Sequence, residues 1–336
     1  MVQPLVRPVA VIGAASSIGI RPYGDGTIRR LYRAPWVLRE QDVIARLGAR
    51  DHGDVAPPPY RDFTRPGKRP RNESDVGTYS RALARRVAEA ASDGAFVVVL
   101  GGDCSVLLGS LLGVRAHSDR VGLVYIDAHS DFATPEESVT GSVAAMGLAL
   151  AVGRGDSPLT RLAGAAPLVR EEDVVLIGRR DEAQGDIYGQ DALGASAILD
   201  LPQTAVRRHG PADTARAALE RLAPTAGRRF WIHVDADVLD PSVMPAVDSP
   251  EPDGMSVAEL GQLVRPLVAH SGALGLELTI YDPQLDPQRT GAATLASLLG
   301  DALAAEPWMG PAIPSRPGAR AHRRPDLVRA LQRRPQ

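Results

Sequence analysis

The chain has 336 residues, with 38 basic and 40 acidic side chains for a formal net charge of −2, 44% hydrophobic residues and 4% aromatic ones. That size and balance suit one large or two small soluble globular domains. They exclude the clustered basic excess that nucleic acid or an anionic membrane would require of a partner surface. Lys68 is the only lysine and is followed by Arg69, so the chain builds neither a Gly-Lys-Ser/Thr phosphate loop nor a buried Schiff-base lysine. Cys104 is the only cysteine, which excludes intramolecular disulfides and all-cysteine zinc sites and fits a reducing compartment. No apolar run approaches the ~20 residues that span a bilayer, and Met1 to Pro8 lacks a charged region followed by an apolar one, so the expected location is cytoplasmic.

In chain order, the first expected strand is Val9–Gly13. It opens Val9-Ala10-Val11-Ile12-Gly13-Ala14-Ala15-Ser16-Ser17-Ile18-Gly19-Ile20, which looks like the strand and glycine-rich phosphate loop of short-chain dehydrogenases. Two features oppose a nicotinamide enzyme: Ser17 stands where the middle glycine should be, and Lys68 has no tyrosine four residues before it. The stretch Ala56–Asn72 is rich in proline and arginine without an apolar period, so it is expected as a loop or lid. Basic crowding is confined to Arg65–Arg71 and the last ~20 residues, as in solvated segments.

Helical patterns over 76–93, 105–115, 143–153, 212–222, 256–269 and 291–304 then alternate with further β-branched runs. These runs are Phe96–Leu100, Gly122–Asp127, Val174–Ile177, Ala197–Leu199, Phe230–Asp235 and Leu274–Thr279. Ser256 followed by Glu259 is a capping box that fixes one helix start. Strands alternating with helices predict βαβ units and a mostly parallel, doubly wound α/β sheet. With no internal repeat and no break between units, one domain over residues 1–310 is expected, followed by a Pro/Arg-rich extension over 311–336.

Ligands of such sheets gather outside the carboxyl ends of the strands. Three strand ends carry polar clusters: Gly101-Gly102-Asp103-Cys104-Ser105, Asp127-Ala128-His129-Ser130-Asp131, and His233-Val234-Asp235-Ala236-Asp237-Val238-Leu239-Asp240-Pro241. Residues 127, 129 and 131 alternate, so extended backbone would turn their side chains to one side, and Asp235 and Asp237 repeat that spacing. Four facing carboxylates and an imidazole repel one another unless a cation neutralises them, which predicts a divalent-metal site. Oxygen-rich ligation with one or two nitrogens suits manganese better than zinc or copper.

These motifs, in their order and spacing, resemble the ureohydrolase superfamily of arginase, agmatinase and formiminoglutamase, from roughly Asp51 to Ala304. The resemblance implies a three-layer α/β/α fold and a pair of manganese ions sharing a hydroxide that attacks the central carbon of a guanidinium group. Carried over by position, Cys104, Asp127, Asp131 and Asp235 would surround one ion. Asp127, His129, Asp235 and Asp237 would surround the other, with Asp131 also orienting the hydroxide. Relatives that assemble as trimers or hexamers imply a homo-oligomer, although no surface stripe identifies an interface.

Three departures bear on substrate. The family's usual first-motif histidine is Cys104 here, a soft sulfur facing a hard metal, which weakens one ion position. Some amidinohydrolases acting on hydroxylated guanidines resemble this chain in that cysteine, in its Thr-Gly…Met stretch and in the run Pro252-Asp253-Gly254-Met255. Ala144 stands where arginases place a proton-shuttling histidine, and Ile280 where the family has a guanidinium-pairing glutamate. Without that carboxylate a planar cation loses its strongest anchor. A hydroxyguanidine is less basic than a guanidine and can be neutral near physiological pH, so the expected substrate is a guanidino or hydroxyguanidino compound other than ordinary arginine. Thr140, Ser142 and Asp282 are the candidate substrate-binding residues.

His233 shares the side of its strand with Asp235, which makes it a proton shuttle or the holder of a carboxylate beside the metals. The bland alternative is a histidine hydrogen-bonded beneath the sheet end. Glu277, within a strand, is a partner for Arg265 or Arg180. Met244 and Met255 are expected to pack, while Glu251 and Asp253 stand within reach of the pocket mouth. The competing reading of the whole chain is a catalytically silent member of the fold that binds metal or a guanidino ligand. Against it, a buried carboxylate cluster costs several kcal/mol if nothing binds there.

Overall fold

The computed structural model describes residues 7–303 apart from 66, 185, 224 and 226. Among these residues eight parallel strands form one sheet: β1 (Val9–Ala14), β2 (Arg50–Val55), β3 (Phe96–Leu100), β4 (Val121–Ile126), β5 (Val174–Ile177), β6 (Leu199–Leu201), β7 (Arg229–Asp235) and β8 (Ala273–Thr279). Their order is β2-β1-β3-β8-β7-β4-β5-β6. β3 and β4 follow each other in the chain yet are separated in space by β8 and β7. The carboxyl ends of these four central strands therefore carry all three polar clusters of the sequence.

Among the described residues ten α-helices accompany the sheet: α1 (Ala34–Arg39), α2 (Val43–Leu47), α3 (Glu73–Ser92), α4 (Val106–Val114), α5 (Gly147–Ala151), α6 (Gln190–Gly194), α7 (Gln203–His209), α8 (Pro211–Leu222), α9 (Val257–Ala269) and α10 (Thr290–Leu303). The pleat divides the core between two faces. Val97, Val99, Leu123, Tyr125 and Trp231 pack with α3, α4 and α5, whereas Val98, Leu100, Val124, Ile126, Ile232 and Val234 pack with α1, α2, α8, α9 and α10. The result is the three-layer α/β/α arrangement. Strands buried on both sides read as unbroken apolar runs, and each fully buried Leu or Ile on them contributes about 1.5–3 kcal/mol.

The capping box at Ser256 is present, with Ser256 Oγ accepting from Glu259 N and Glu259 Oε2 from Ser256 N. β2 has no counterpart among the expected strands. Its sequence, Arg-Asp-His-Gly-Asp-Val, lies at the sheet edge with only Val55 buried, so it carries no apolar alternation to read. The short helices α1, α2, α6 and α7 were likewise too brief for a period to emerge, and the expected strand Ala197–Leu199 begins two residues later. The chain between 56 and 72 has no regular element among its described residues, as expected. Among the described residues no helix is long and apolar enough to cross a membrane. The expected extension 311–336 lies outside the described residues.

Candidate metal centre and active site

The Gly101-Gly102 pair follows from crowding at the end of β3. A Cβ on Gly101 would lie 2.1 Å from Leu278 O, and one on Gly102 would lie 2.1 Å from Ser16 O. Glycine lets three backbones meet there. Asp103, wholly buried, accepts from Gly19 N at 3.1 Å and Ser105 N at 3.0 Å, tying the loop after β1 to the loop after β3. Burial raises its carboxyl above the ordinary range. Asp103 thus fixes the start of the β1 loop, whose Ile20 and Arg21 line the cavity described below. No helix follows this loop until Leu31–Arg33, so the phosphate-loop reading of Val9–Ile20 lacks the helix N-terminus it requires.

Cys104 emerges from this loop buried, its Sγ donating to Asp235 Oδ2 at 2.8 Å and lying 3.4 Å from Thr279 Oγ1. Asp235 ends β7, and Asp237 sits in the 3-10 turn that follows. The backbones then hold the carboxylates: His129 N donates to Asp127 Oδ1 (2.7 Å), Asp237 N to Asp235 Oδ1 (2.8 Å) and Ala128 N to Asp237 Oδ1 (3.2 Å). His129 Nδ1 stands 3.1 Å from Asp237 Oδ2 and 3.5 Å from Asp127 Oδ1.

Asp131 reaches the site by another route than alternation. β4 stops at Ile126, and Asp131 has a φ of 45°, in the left-handed region. Its Oδ2 accepts from the Tyr125 hydroxyl at 2.6 Å. It does not join either of the two groups of mutually close ligand atoms in the centre. One group comprises Cys104, Asp127, His233 and Asp235, the other Asp127, His129 and Asp237, each with its ligand atoms within 4.8 Å of one another.

His233 is fully buried, its ring stacked on Tyr125 with centroids 4.2 Å apart and planes at 7°. Nδ1 lies 2.7 Å from Glu277 Oε1, and Glu277 Oε2 accepts from Ser110 Oγ at 2.5 Å. Glu277 therefore pairs with neither Arg265 nor Arg180, because the His233–Glu277 register places the two side by side on adjacent strands. Arg180 instead donates to the backbone oxygens of Asp237, Leu239, Glu251 and Pro252, clamping the β7 loop to the turn beyond it.

The electrostatics of this cluster are those of a site built around positive charge. Burial and then the neighbouring Asp237 raise the carboxyls of Asp127 and Asp235, and burial and Asp127 raise Asp131. Burial likewise pushes the Cys104 thiol well up, and Asp235, Asp127 and Asp131 push it further. For His129, burial alone would lower the pKa, but Asp237 and Asp127 outweigh it and raise the imidazole well above its usual value. Only Asp237 goes down, His129 overcoming its burial. Asp127 Oδ2, His129 Nε2 and His233 Nε2 are buried with no hydrogen-bond partner. A buried carboxylate oxygen left unpaired, such as Asp127 Oδ2, costs free energy unless a cation meets it, and the oxygen and imidazole donors fit hard divalent ions.

A cavity of about 70 Å³ opens over the cluster, lined by Cys104, His129, Asp131, Asp235 and Asp237 below and by Thr140, Ser142, Ala144, Tyr188, Asp248 and Ile280 around it. Thr140 and Ser142 line this cavity. Asp282 is not among its lining residues; its carboxylate accepts from Tyr23 Oη and Arg30 N and from Gln284 N, anchoring loops outside it. Ile280, 4% exposed, has a φ of 63°, a conformation strained for a β-branched side chain. Glu251 comes within 4.0 Å of His129 Nε2, while Asp253 is bonded by Arg207 at the surface. Met244 and Met255 are fully buried.

The arginines of the 56–72 segment are more than solvated charge. Arg65 Nη1 donates to Ser138 O at 2.7 Å, Arg71 Nε to Thr140 O at 2.8 Å and Arg71 N to Gly141 O at 2.8 Å, so this segment holds the loop that carries Thr140 and Ser142. Sequence reading missed this clamp, since Arg-to-carbonyl bonds leave no periodic trace. It also missed Tyr125, which reads as one more apolar strand residue. Asp181, which accepts from Ser130 N and Oγ behind the Asp-x-His-x-Asp motif, was findable because Arg179-Arg180-Asp181 lies just beyond the end of β5.

Comparison with known proteins agrees with this fold. A sequence model of the arginase family matches residues 10–305, starting well before Asp51. Arginase of Bacillus caldovelox is 30% identical over 303 residues, 88% of this chain and 97% of that protein. Human arginase-1 is 30% identical over 291 residues, 83% of this chain and 86% of that one. Among solved structures, the arginase of Bacillus caldovelox superposes with a TM-score of 0.79 at 28% identity, covering 89% of this chain and 99% of its own. Proclavaminate amidino hydrolase from Streptomyces clavuligerus, 21% identical with a TM-score of 0.61 over 90% of this chain and 91% of its own, shares the fold.

Proposed function

Because this chain belongs to the arginase family, we propose that it is a manganese-dependent hydrolase that cleaves a C–N bond of a guanidino-type substrate, with a hydroxyguanidine favoured over arginine. The observation that carries the hydrolase reading is the pair of ligand groups sharing Asp127, together with the buried, unpartnered Asp127 Oδ2 and His233 Nε2 of their own residues. Asp127, His129, Asp235 and Asp237 are the residues assigned to hold the ions. When bound, two divalent cations neutralise the carboxylates and lower the pKa of water enough to supply hydroxide at neutral pH.

The protein's own groups do the rest. Asp131, fixed by the Tyr125 hydroxyl, would accept the proton that water gives up as its oxygen adds to the guanidino carbon, and would return it to the leaving nitrogen as the C–N bond then breaks. Thr140 and Ser142, on the loop held by Arg65 and Arg71, meet the rest of the substrate. The choice of hydroxyguanidine rests on Ile280 and Ala144, which give the cavity hydrocarbon where a carboxylate and an imidazole would serve a cation. A charged guanidinium packed against Ile280 and Ala144 would lose solvation without a charged partner at those two positions, whereas a neutral group loses far less.

The test is release of urea or hydroxyurea by manganese-loaded protein from arginine, hydroxyarginine, agmatine, guanidinobutyrate and formiminoglutamate, with ammonia and formamide followed for the last. Turnover of the hydroxylated compound well above arginine supports the proposal. Preference for arginine overturns the substrate choice, and no turnover of any member favours a silent binder. We further propose that residues 1–310 act as one catalytic domain in the cytoplasm and that copies of the chain associate as a homo-oligomer.

A further inference from the structure

We infer that His233 supplies the nitrogen ligand of the first metal position through Nε2, and that Cys104, although adjacent, is not required for that ion. The inference rests on the metal-dependent reading above and deepens it. The family's resemblance would put the ligand histidine at position 104 on the loop after β3. Here sulfur occupies that position, and an imidazole enters the same space from β7.

Four observations carry this. One ring nitrogen of His233 lies within 4.8 Å of ligand atoms of Cys104, Asp127 and Asp235, and Nδ1 is already engaged by Glu277 at 2.7 Å, which leaves Nε2 as the free donor. Nε2 is buried and has no hydrogen-bond partner. With Nδ1 donating to Glu277, Nε2 carries the ring's lone pair, and a cation shared with the neighbouring carboxylates would satisfy both that lone pair and their charge. Lastly, the ring is immobilised by stacking on Tyr125 and by the Ser110–Glu277–His233 chain. A carboxylate on the far nitrogen is the usual support of a metal-bound histidine, fixing its tautomer and increasing its basicity.

Cys104 meets none of these conditions as well. Its thiol donates to Asp235 Oδ2 and lies beside Thr279 Oγ1, so it has a role without metal. Thiolate is also a poor match for manganese. With His233 as a ligand, the first position has Asp127, Asp235 and an imidazole, the same donor types as the second position with Asp127, Asp237 and His129.

The experiment loads the full chain with manganese, removes loosely held ion by desalting, and measures bound metal by mass spectrometry alongside the spin-coupled manganese signal in electron paramagnetic resonance. Wild type should hold two ions and show coupling. His233→Ala should hold one and lose the coupling, and Cys104→Ser should keep both. Glu277→Gln, which leaves the imidazole in place, should weaken the first ion about 10- to 100-fold. Loading with cobalt instead should give no thiolate-to-metal charge-transfer band. If His233→Ala fails to fold by circular dichroism, the Glu277→Gln titration and the cobalt spectrum decide. Two coupled ions in folded His233→Ala, one ion in Cys104→Ser, unchanged affinity in Glu277→Gln, or a strong thiolate band would each overturn the inference. No bound metal in wild type would mark failure of the metal-dependent reading itself, and the inference would fall with it.

Discussion

Tyr125, inside the apolar run of β4, donates its hydroxyl to Asp131 Oδ2 at 2.6 Å, six residues along the chain. A strand residue thereby fixes the carboxylate of a loop whose backbone turns left-handed. Hydrogen bonds to charged groups contribute about 1.5–3 kcal/mol, so Tyr125→Phe should lower kcat about 10-fold or more on that same scale. KM should change little, because substrate is not touched. A stopped assay over a substrate series separates the two, and a rise in KM at constant kcat would show that Tyr125 shapes the pocket instead.

Ile280 is the most direct handle on substrate charge. Ile280→Glu relieves a β-branched side chain from a φ of 63° and places a carboxylate at the cavity wall. Activity should shift from hydroxyguanidine toward guanidine, raising the kcat/KM ratio for arginine over hydroxyarginine by about 10-fold, the value of one added charge-assisted pair. An unchanged ratio would remove Ile280 from substrate recognition.

The pocket loop depends on the arginine-rich segment. Arg71→Ala removes the bond from Nε to Thr140 O and that from Nη1 to Asp62 O. Loosening Thr140 and Ser142 should raise KM about 3- to 10-fold, roughly one or two net hydrogen bonds, with circular dichroism unchanged. A fall in kcat with KM constant would contradict that positioning role.

Metal removal should reveal the pH dependence of the cluster. The metal-free folded state raises Asp127, Asp131 and Asp235 by burial and mutual repulsion, and raises His129 through Asp237 and Asp127 despite its burial. Groups with raised folded pKa values stabilise the fold at low pH and lose that contribution as pH climbs from their unfolded values, about 3.9 for aspartate and 6.5 for histidine, through the folded ones. Asp237, lowered by His129 against its burial, acts oppositely and does not cancel four groups. Thermal unfolding should therefore show metal-free protein losing stability from mildly acid to mildly alkaline pH, with the gain in Tm from manganese widening over the same range. A gain independent of pH would show that the cation does not replace those protons.

The parallel sheet was legible because its strands are buried on both faces, and Phe96–Leu100 and Val174–Ile177 are apolar throughout. β2 escaped because an edge strand made of Arg, Asp, His and Gly has no buried period. At the site, Asp127, His129, Asp235 and Asp237 could be named from spacing alone, since polar residues at a parallel strand's carboxyl end have few other reasons to cluster. The positions of Asp131 and Asp282 could not, since one depends on a left-handed turn and the other on bonds to Tyr23 and Arg30 far away in sequence. The partnership of His233 with Glu277 required the register between β7 and β8, which a single sequence does not carry.

Asp127 is the residue common to both ligand groups, so the proposed binding of two divalent ions depends on it more than on any other side chain. The most direct measurement is bound manganese per chain in wild type and in Asp127→Asn, which keeps the side-chain oxygen that accepts from His129 N. Close to two ions are expected in wild type and nearly none in a folded Asp127→Asn. Wild type that retains no metal after loading, or Asp127→Asn that retains as much as wild type, would contradict the proposed binding.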